Sequence, residues 1–109
     1  MDRITYPTPT FADLPSILHE NVQWYHADGI GGKSYFTQSP DNHTVAVLIV
    51  SDDPKNEILT VVMAHIENDF VIIDADRTDK PLFQRLVNAG IPRDKIILAY
   101  EGESLPEFA

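Results

Sequence analysis

The chain has 109 residues and no cysteine, with 8 Lys+Arg against 17 Asp+Glu for a formal net charge of -9. That length supports one domain with one core, burying roughly 65% of the unfolded surface, and the missing thiols exclude a disulfide framework, a thiolate nucleophile and a thiolate metal site. The negative average field repels phosphate backbones and anionic bilayers, which disfavours direct nucleic-acid binding and membrane association.

Residues 1–10 place Pro7 and Pro9 among threonines and predict an extended arm, because neither proline has an amide to donate. The opening lacks the charged-then-apolar pattern of a secretory leader, and no apolar run reaches membrane-spanning length, so the expected location is the cytoplasm. From Asp13 onward, Leu14, Ile17, Leu18, Val22 and Tyr25 recur at helical spacing, with Pro15 tolerated in the first turn. Residues 26–32 carry three of the five glycines and end that helix. No helix start follows them, so they read as a connection rather than a phosphate cradle.

Residues 33–37, with Tyr35 and Phe36, suit a short strand, and the turn formers at 38–42 close it. Residues 44–50, TVAVLIV, show no alternation, which predicts a strand buried on both faces at the centre of the sheet. A polar turn at 51–56 leads into a β-branched strand at 58–66, and Asn68-Asp69 suits a two-residue hairpin into Phe70. The stretch 69–100 then reads strand, helix, strand. Residues 70–73 are an apolar run that Asp74-Ala75-Asp76 is expected to stop. Thr78 or Asp79 is the expected helix cap, with Pro81 in the first turn and Leu82, Phe83, Leu86 and Val87 on one face. Gly90 can take the left-handed conformation after the helix, Ile91 can fold back onto the last turn, and Pro92 forbids continuation. Ile96, Ile97, Leu98 and Tyr100 begin another buried strand, parallel to the first if the helix is a crossover. The acidic tail 101–109, with Gly102 and Pro106, is expected to be irregular. These elements predict a single α+β domain over residues 1–109, with a mostly antiparallel sheet of about five strands and two main helices.

One local pattern looks catalytic. Asp74-Ala75-Asp76-Arg77-Thr78 is similar to the DxDxT motif of haloacid-dehalogenase-type phosphotransferases, where the two aspartates act as nucleophile and general acid beside magnesium. Arg77 stands where glycine is usual, and only 31 residues follow Thr78, too few for that fold's downstream lysine and acidic metal ligands. The alternative is that the aspartates end a strand and support a helix start. His19, His26, His43 and His65 have no paired metal-ligand spacing, and no serine sits in a nucleophile elbow, so no metal or cofactor is expected. Trp24 and Tyr25 read as packing residues rather than a base-stacking platform. Lys80, Arg85, Arg93 and Lys95 cluster around the second helix as a solvated face complementing Asp76, Asp79 and Asp94, and as a surface able to meet an acidic partner or, as a further reading, DNA.

Residues 86–100, LVNAGIPRDKIILAY, resemble the XisI family of cyanobacteria, whose members read like EL-x-x-x-GVPK-x-DIVLGFH over this stretch. Lys95 stands where that pattern has aspartate, after a Pro92-Arg93-Asp94 that keeps charge, and Ala99-Tyr100 replaces Gly-Phe. Residues 70–79 are similar to the family's KIWIQHDGTE, with Asp76, Thr78 and Asp79 over its D-x-T-E, and residues 106–109 look like its terminal TEFA. Val50-Ser51 replaces the family's Gly-Trp, and the first helix is shortened, as in a divergent member. The resemblance implies a controlling factor for excision of the fdxN DNA element during heterocyst differentiation, acting with the nuclease-like protein XisH and a separate recombinase. It carries over no catalytic residue, and it gives the same strand-loop-helix without the other parts of a phosphotransferase. The expectation is therefore a non-enzymatic regulatory protein that contacts a XisH-like partner, with Asp76, Arg77, Lys80, Arg85 and Arg93 as contact candidates and self-association left open. The alternative function is a magnesium-dependent phosphotransferase using Asp74 and Asp76.

Overall fold

The computed structural model describes residues 14–27, 31–53, 55 and 57–106. The arm expected at 1–10, Asp13, the middle of the glycine connection at 28–30, Pro54 and Asn56 of the polar turn, and the tail end at 107–109 lie outside the described residues. The elements run α1 (Leu14–Gln23), β1 (Gly32–Gln38), β2 (Thr44–Ser51), β3 (Ile58–Glu67), β4 (Phe70–Asp76), α2 (Leu82–Asn88) and β5 (Ile96–Leu98), with 3-10 turns at Arg93–Lys95 and Ala99–Glu101. The five strands form one sheet in the order β1-β2-β3-β4-β5. Hairpin neighbours are antiparallel, and β5 lies parallel to β4 after the crossover through α2.

Both helices cover one face of this sheet. Leu14, Leu18 and Val22 from α1, and Leu82 and Leu86 from α2, meet Val45, Val47, Val62, Ala64, Val71, Ile73, Ile96 and Leu98 in one buried cluster. Each fully buried leucine there contributes about 2 kcal/mol of transfer free energy. The opposite face holds a smaller cluster of Phe70, Ile72 and Ile97, against which Leu105 of the tail packs. Among the described residues that face carries no helix over β1 to β3, and Tyr35 is left 43% exposed. At the start of β1, Gly32 passes so close to β2 that a Cβ would stand 2.4 Å from the Val50 carbonyl oxygen.

Local chemistry accounts for the joints. Asn68 and Asp69 adopt φ of 52° and 65°, the left-handed pair that a two-residue hairpin demands. After α2, Gly90 takes φ of 106°. Its amide donates to Val87 O at 3.0 Å, and the Ile91 amide donates to Leu86 O at 3.0 Å. These are the paired bonds of a Schellman stop.

Several details differ from the sequence reading. Asp74-Ala75-Asp76 do not stop β4, because Ala75 pairs with Met63 and Asp76 with Val62, and the ladder offsets the low strand propensity of aspartate. The middle strand is β3, with β2 one place outward; burial on both faces of β2 is confined to Val45, Ala46 and Val47. α1 ends before Tyr25, whose amide closes a tighter turn onto Val22 O at 3.0 Å. β5 stops at Leu98, and Tyr100 sits in the following 3-10 turn. Neither Thr78 nor Asp79 caps α2; Pro81 occupies the cap position and has no side-chain bond to give.

Candidate partner-contact surface

The missing cap is supplied from the end of β4. Asp76 Oδ2 accepts from the Leu82 amide at 2.8 Å, while Oδ1 accepts from the Thr78 amide at 2.9 Å and the Thr78 hydroxyl at 2.6 Å. One carboxylate thus ties the strand, the loop and the first helical amide together. Asp74, two residues earlier, does not join it. Strict alternation would put both side chains on one face of β4. The register instead shifts between Met63 and Ala64, so that Ile73 pairs with Ala64 and Ala75 with Met63, leaving Asp74 as the extra residue of a bulge. Asp74 Oδ2 then accepts from His65 Nδ1 at 2.7 Å, on the neighbouring strand, and His65 Nε2 lies 3.4 Å from Glu67 Oε1. The two aspartates of the DxDxT-like loop therefore diverge, one to β3 and one to α2. Among the described residues no three of His, Asp and Glu are grouped to hold a metal.

The remaining contact candidates separate into two sets. Arg93 is spent on structure: its guanidinium donates to Ile96 O at 2.7 Å and to Glu103 Oε2 at 3.1 Å, and its carbon lies 5.6 Å from the Phe83 ring centre. Glu103 Oε1 in turn accepts from the Leu98 amide at 2.8 Å. That amide first, and Arg93 after it, hold the Glu103 carboxyl below the usual range. Arg77 is exposed, and its amide extends the ladder to Val61 O at 2.8 Å.

Lys80 and Arg85 instead converge on Trp24. The Arg85 guanidinium carbon lies 4.0 Å from the ring centre and Lys80 Nζ lies 5.8 Å from it. Both are at cation–π range. Trp24 is not the packing residue its sequence context implies: it is 50% exposed and meets Tyr25 edge to face at 5.1 Å. The Tyr25 hydroxyl donates to the Lys80 carbonyl, which fixes the loop before α2 against the end of α1. Burial, and then the negative charge of Asp76, push the Tyr25 phenol up to about 12. The same two causes raise Tyr100. Around Trp24 and Arg85 a cavity of about 430 Å³ opens between the helices, lined also by Glu20, Asn21, Gln23 and Ala89. The histidines are dispersed: His19 stands edge-on to Phe36, His26 Nε2 lies 3.1 Å from Ser34 O, and His43 precedes β2.

Sequence reasoning did not bring Trp24 to Arg85, because the two lie on different helices. The available signal was a tryptophan closing α1 beside polar Glu20 and Gln23, where an amphipathic helix that only packs would end in an apolar stripe. The arrangement can hold an anionic or amphipathic group against a stacked cation. It offers no nucleophile with an adjacent base.

Solved structures with this architecture include a XisI-like protein from Anabaena variabilis, with TM-score 0.72 and 16% sequence identity over 82% of this chain and 85% of that one. The fdxN element excision controlling factor XisI from the same organism gives a TM-score of 0.61 at 18% identity, over 83% of this chain and 88% of that one. At such identities the likeness shows a shared fold. No curated protein matches the chain. The model of the XisI protein family matches residues 13–109, and so spans both helices and all five strands. This chain belongs to the XisI family.

Proposed function

We propose that the protein is a non-enzymatic accessory factor in the excision of a DNA element, a DNA rearrangement of cyanobacteria, acting by contact with a nuclease-like XisH-type partner. The family match carries the reading, together with a solved family relative that is an fdxN element excision controlling factor. Two physical observations support it. The carboxylates of the one catalytic-looking loop are committed to His65 and to the α2 cap. The net charge of -9 suits a protein that meets a basic protein surface better than one that meets DNA. No helix among the described residues is long and apolar enough to cross a membrane. The proposed setting of the contact is the cytoplasm.

The test is co-expression with the XisH-like protein of the same genome, followed by affinity purification and size exclusion. A complex that co-elutes at fixed ratio is the expected result. Separate elution, with both proteins folded, would remove partner contact as the mechanism. An antitoxin-like inhibition of the partner's nuclease would be seen in the same complex as loss of cleavage.

A further inference from the structure

The structure points to the groove between the end of α1 and α2, walled by Trp24, Arg85, Asn21 and Ala89, as the seat of one carboxylate-bearing segment of a protein partner. This rests on the partner-contact reading above and names the place and the chemistry of that contact.

Arg85 carries the first part of the argument. Among the described residues its side chain makes no hydrogen bond and no ion pair, and its Nε is sealed from solvent with no acceptor. A guanidinium has five N–H donors and no acceptor of its own, so an Nε buried without a carboxylate or carbonyl is short of a partner. The Arg93 guanidinium, by comparison, donates to both Glu103 and Ile96 O. Stacking on Trp24 fixes the plane of the Arg85 guanidinium but supplies no acceptor for its edge. The terminal nitrogens, which are not sealed as Nε is, are the donors that an oxygen pair from outside can reach.

Trp24 carries the second part. It is half exposed beside a cavity of about 430 Å³, continuous in its lining with one of about 230 Å³ bounded by Asn21, Arg85, Asn88 and Ala89. That space takes a few side chains, and aromatic and arginine anchors beside a pocket are the residues on which interface energy concentrates.

Charge selects the occupant. Lys80 adds a second positive group at the same ring, in a molecule whose average field is negative. A nucleic-acid strand would have to lay successive phosphates along an acidic surface, with Glu20 on the groove wall itself. A segment with a single carboxylate, flanked by apolar side chains that cover Trp24, meets the cations with far less of that repulsion, confined to Glu20.

Trp24 is the chain's one tryptophan, so its fluorescence reports on this groove. The probes are a short blocked peptide with one glutamate between two leucines, its glutamine counterpart, and oligothymidylate. Expected is a saturable change with the glutamate peptide, about tenfold weaker both for the glutamine peptide and for Arg85→Gln, as for one lost charge-assisted hydrogen bond. Arg85→Lys should recover part of the loss, and Glu20→Gln should tighten binding. Equal response to the two peptides, no saturable response, or tighter binding of oligothymidylate would each overturn the inference. Arg85→Gln is then carried into co-purification with the XisH-like protein. Loss of the complex by a variant of unchanged melting temperature supports the groove as the contact. Retention of the complex overturns the groove while the partner reading stands. If the unaltered protein forms no complex, the partner reading fails, and the peptide titration still decides what the groove binds.

Discussion

Asp76 shows how much one side chain can organise here. Its two oxygens accept three hydrogen bonds, from the Thr78 amide, the Thr78 hydroxyl and the Leu82 amide, and its charge reaches Tyr25 and Tyr100. Asp76→Ala leaves two amides without acceptors and should lower unfolding free energy by about 2–3 kcal/mol in urea denaturation. Asp76→Asn, which keeps acceptor capacity on one oxygen, should lose less. Tyr25 makes a second prediction by its titration. Its folded pKa of about 12 exceeds the ordinary 10.0, so the folded state keeps a proton that the unfolded state gives up. The associated stability is whole below the ordinary value and drains away as pH rises toward the folded one. Alkaline denaturation followed by circular dichroism should show that loss, and Tyr25→Phe should flatten it. At this scale the sequence was half legible. Polar residues at 74–76 announce a joint between strand and helix. That Asp76 rather than Thr78 or Asp79 would cap the helix depends on a β4 that runs past its apolar stretch to Asp76, which only cross-strand pairing with Met63 and Val62 reveals.

At the scale of elements, the α2 segment was read well because its signals are local. The pattern Leu82, Phe83, Leu86, Val87 followed by Gly90, Ile91 and Pro92 encodes a helix, its buried face and its stop within a few residues. Gly90→Ala forces an L side chain to φ of 106° and should cost about 1 kcal/mol, read as a lowered urea midpoint at unchanged slope. The bulge in β4 was not legible, since no residue type at 73–75 demands one. It arises where the ladder to β3 shifts, and it decides the chemistry: regular alternation would have set Asp74 and Asp76 side by side. The contact between Trp24 and Arg85 was hidden for a related reason, because how two helices lie on a sheet follows from their shared core, not from their own sequences.

For the whole molecule, composition spoke clearly. The net charge of -9 predicts that neither duplex nor single-stranded DNA is retained even at low salt, as measured by filter binding or anisotropy. Retention that falls steeply with added salt would restore the direct-binding reading. The fold class and the family were legible from the order of elements and from residues 70–100, where the matching motif lies on β4, α2 and β5. Which cations the fold ties down was not, because Lys80, Arg85 and Arg93 look alike in sequence, and only the fold sets one of them against Glu103.

The parallel pairing of β5 with β4 also governs the order in which the molecule can assemble. β1 to β4 are joined by successive hairpins, so their ladders close over short loops soon after each strand leaves the ribosome. β4 then waits with one edge open, and with Val71 and Ile73 lacking a neighbour, through the synthesis of the α2 crossover until Ile96–Leu98 emerges. A chain stalled after Asn88 should therefore collect in pelleted aggregates or on chaperones, while one extended past Glu103 is released soluble. Nascent copies are at their most adhesive in the interval between those two points.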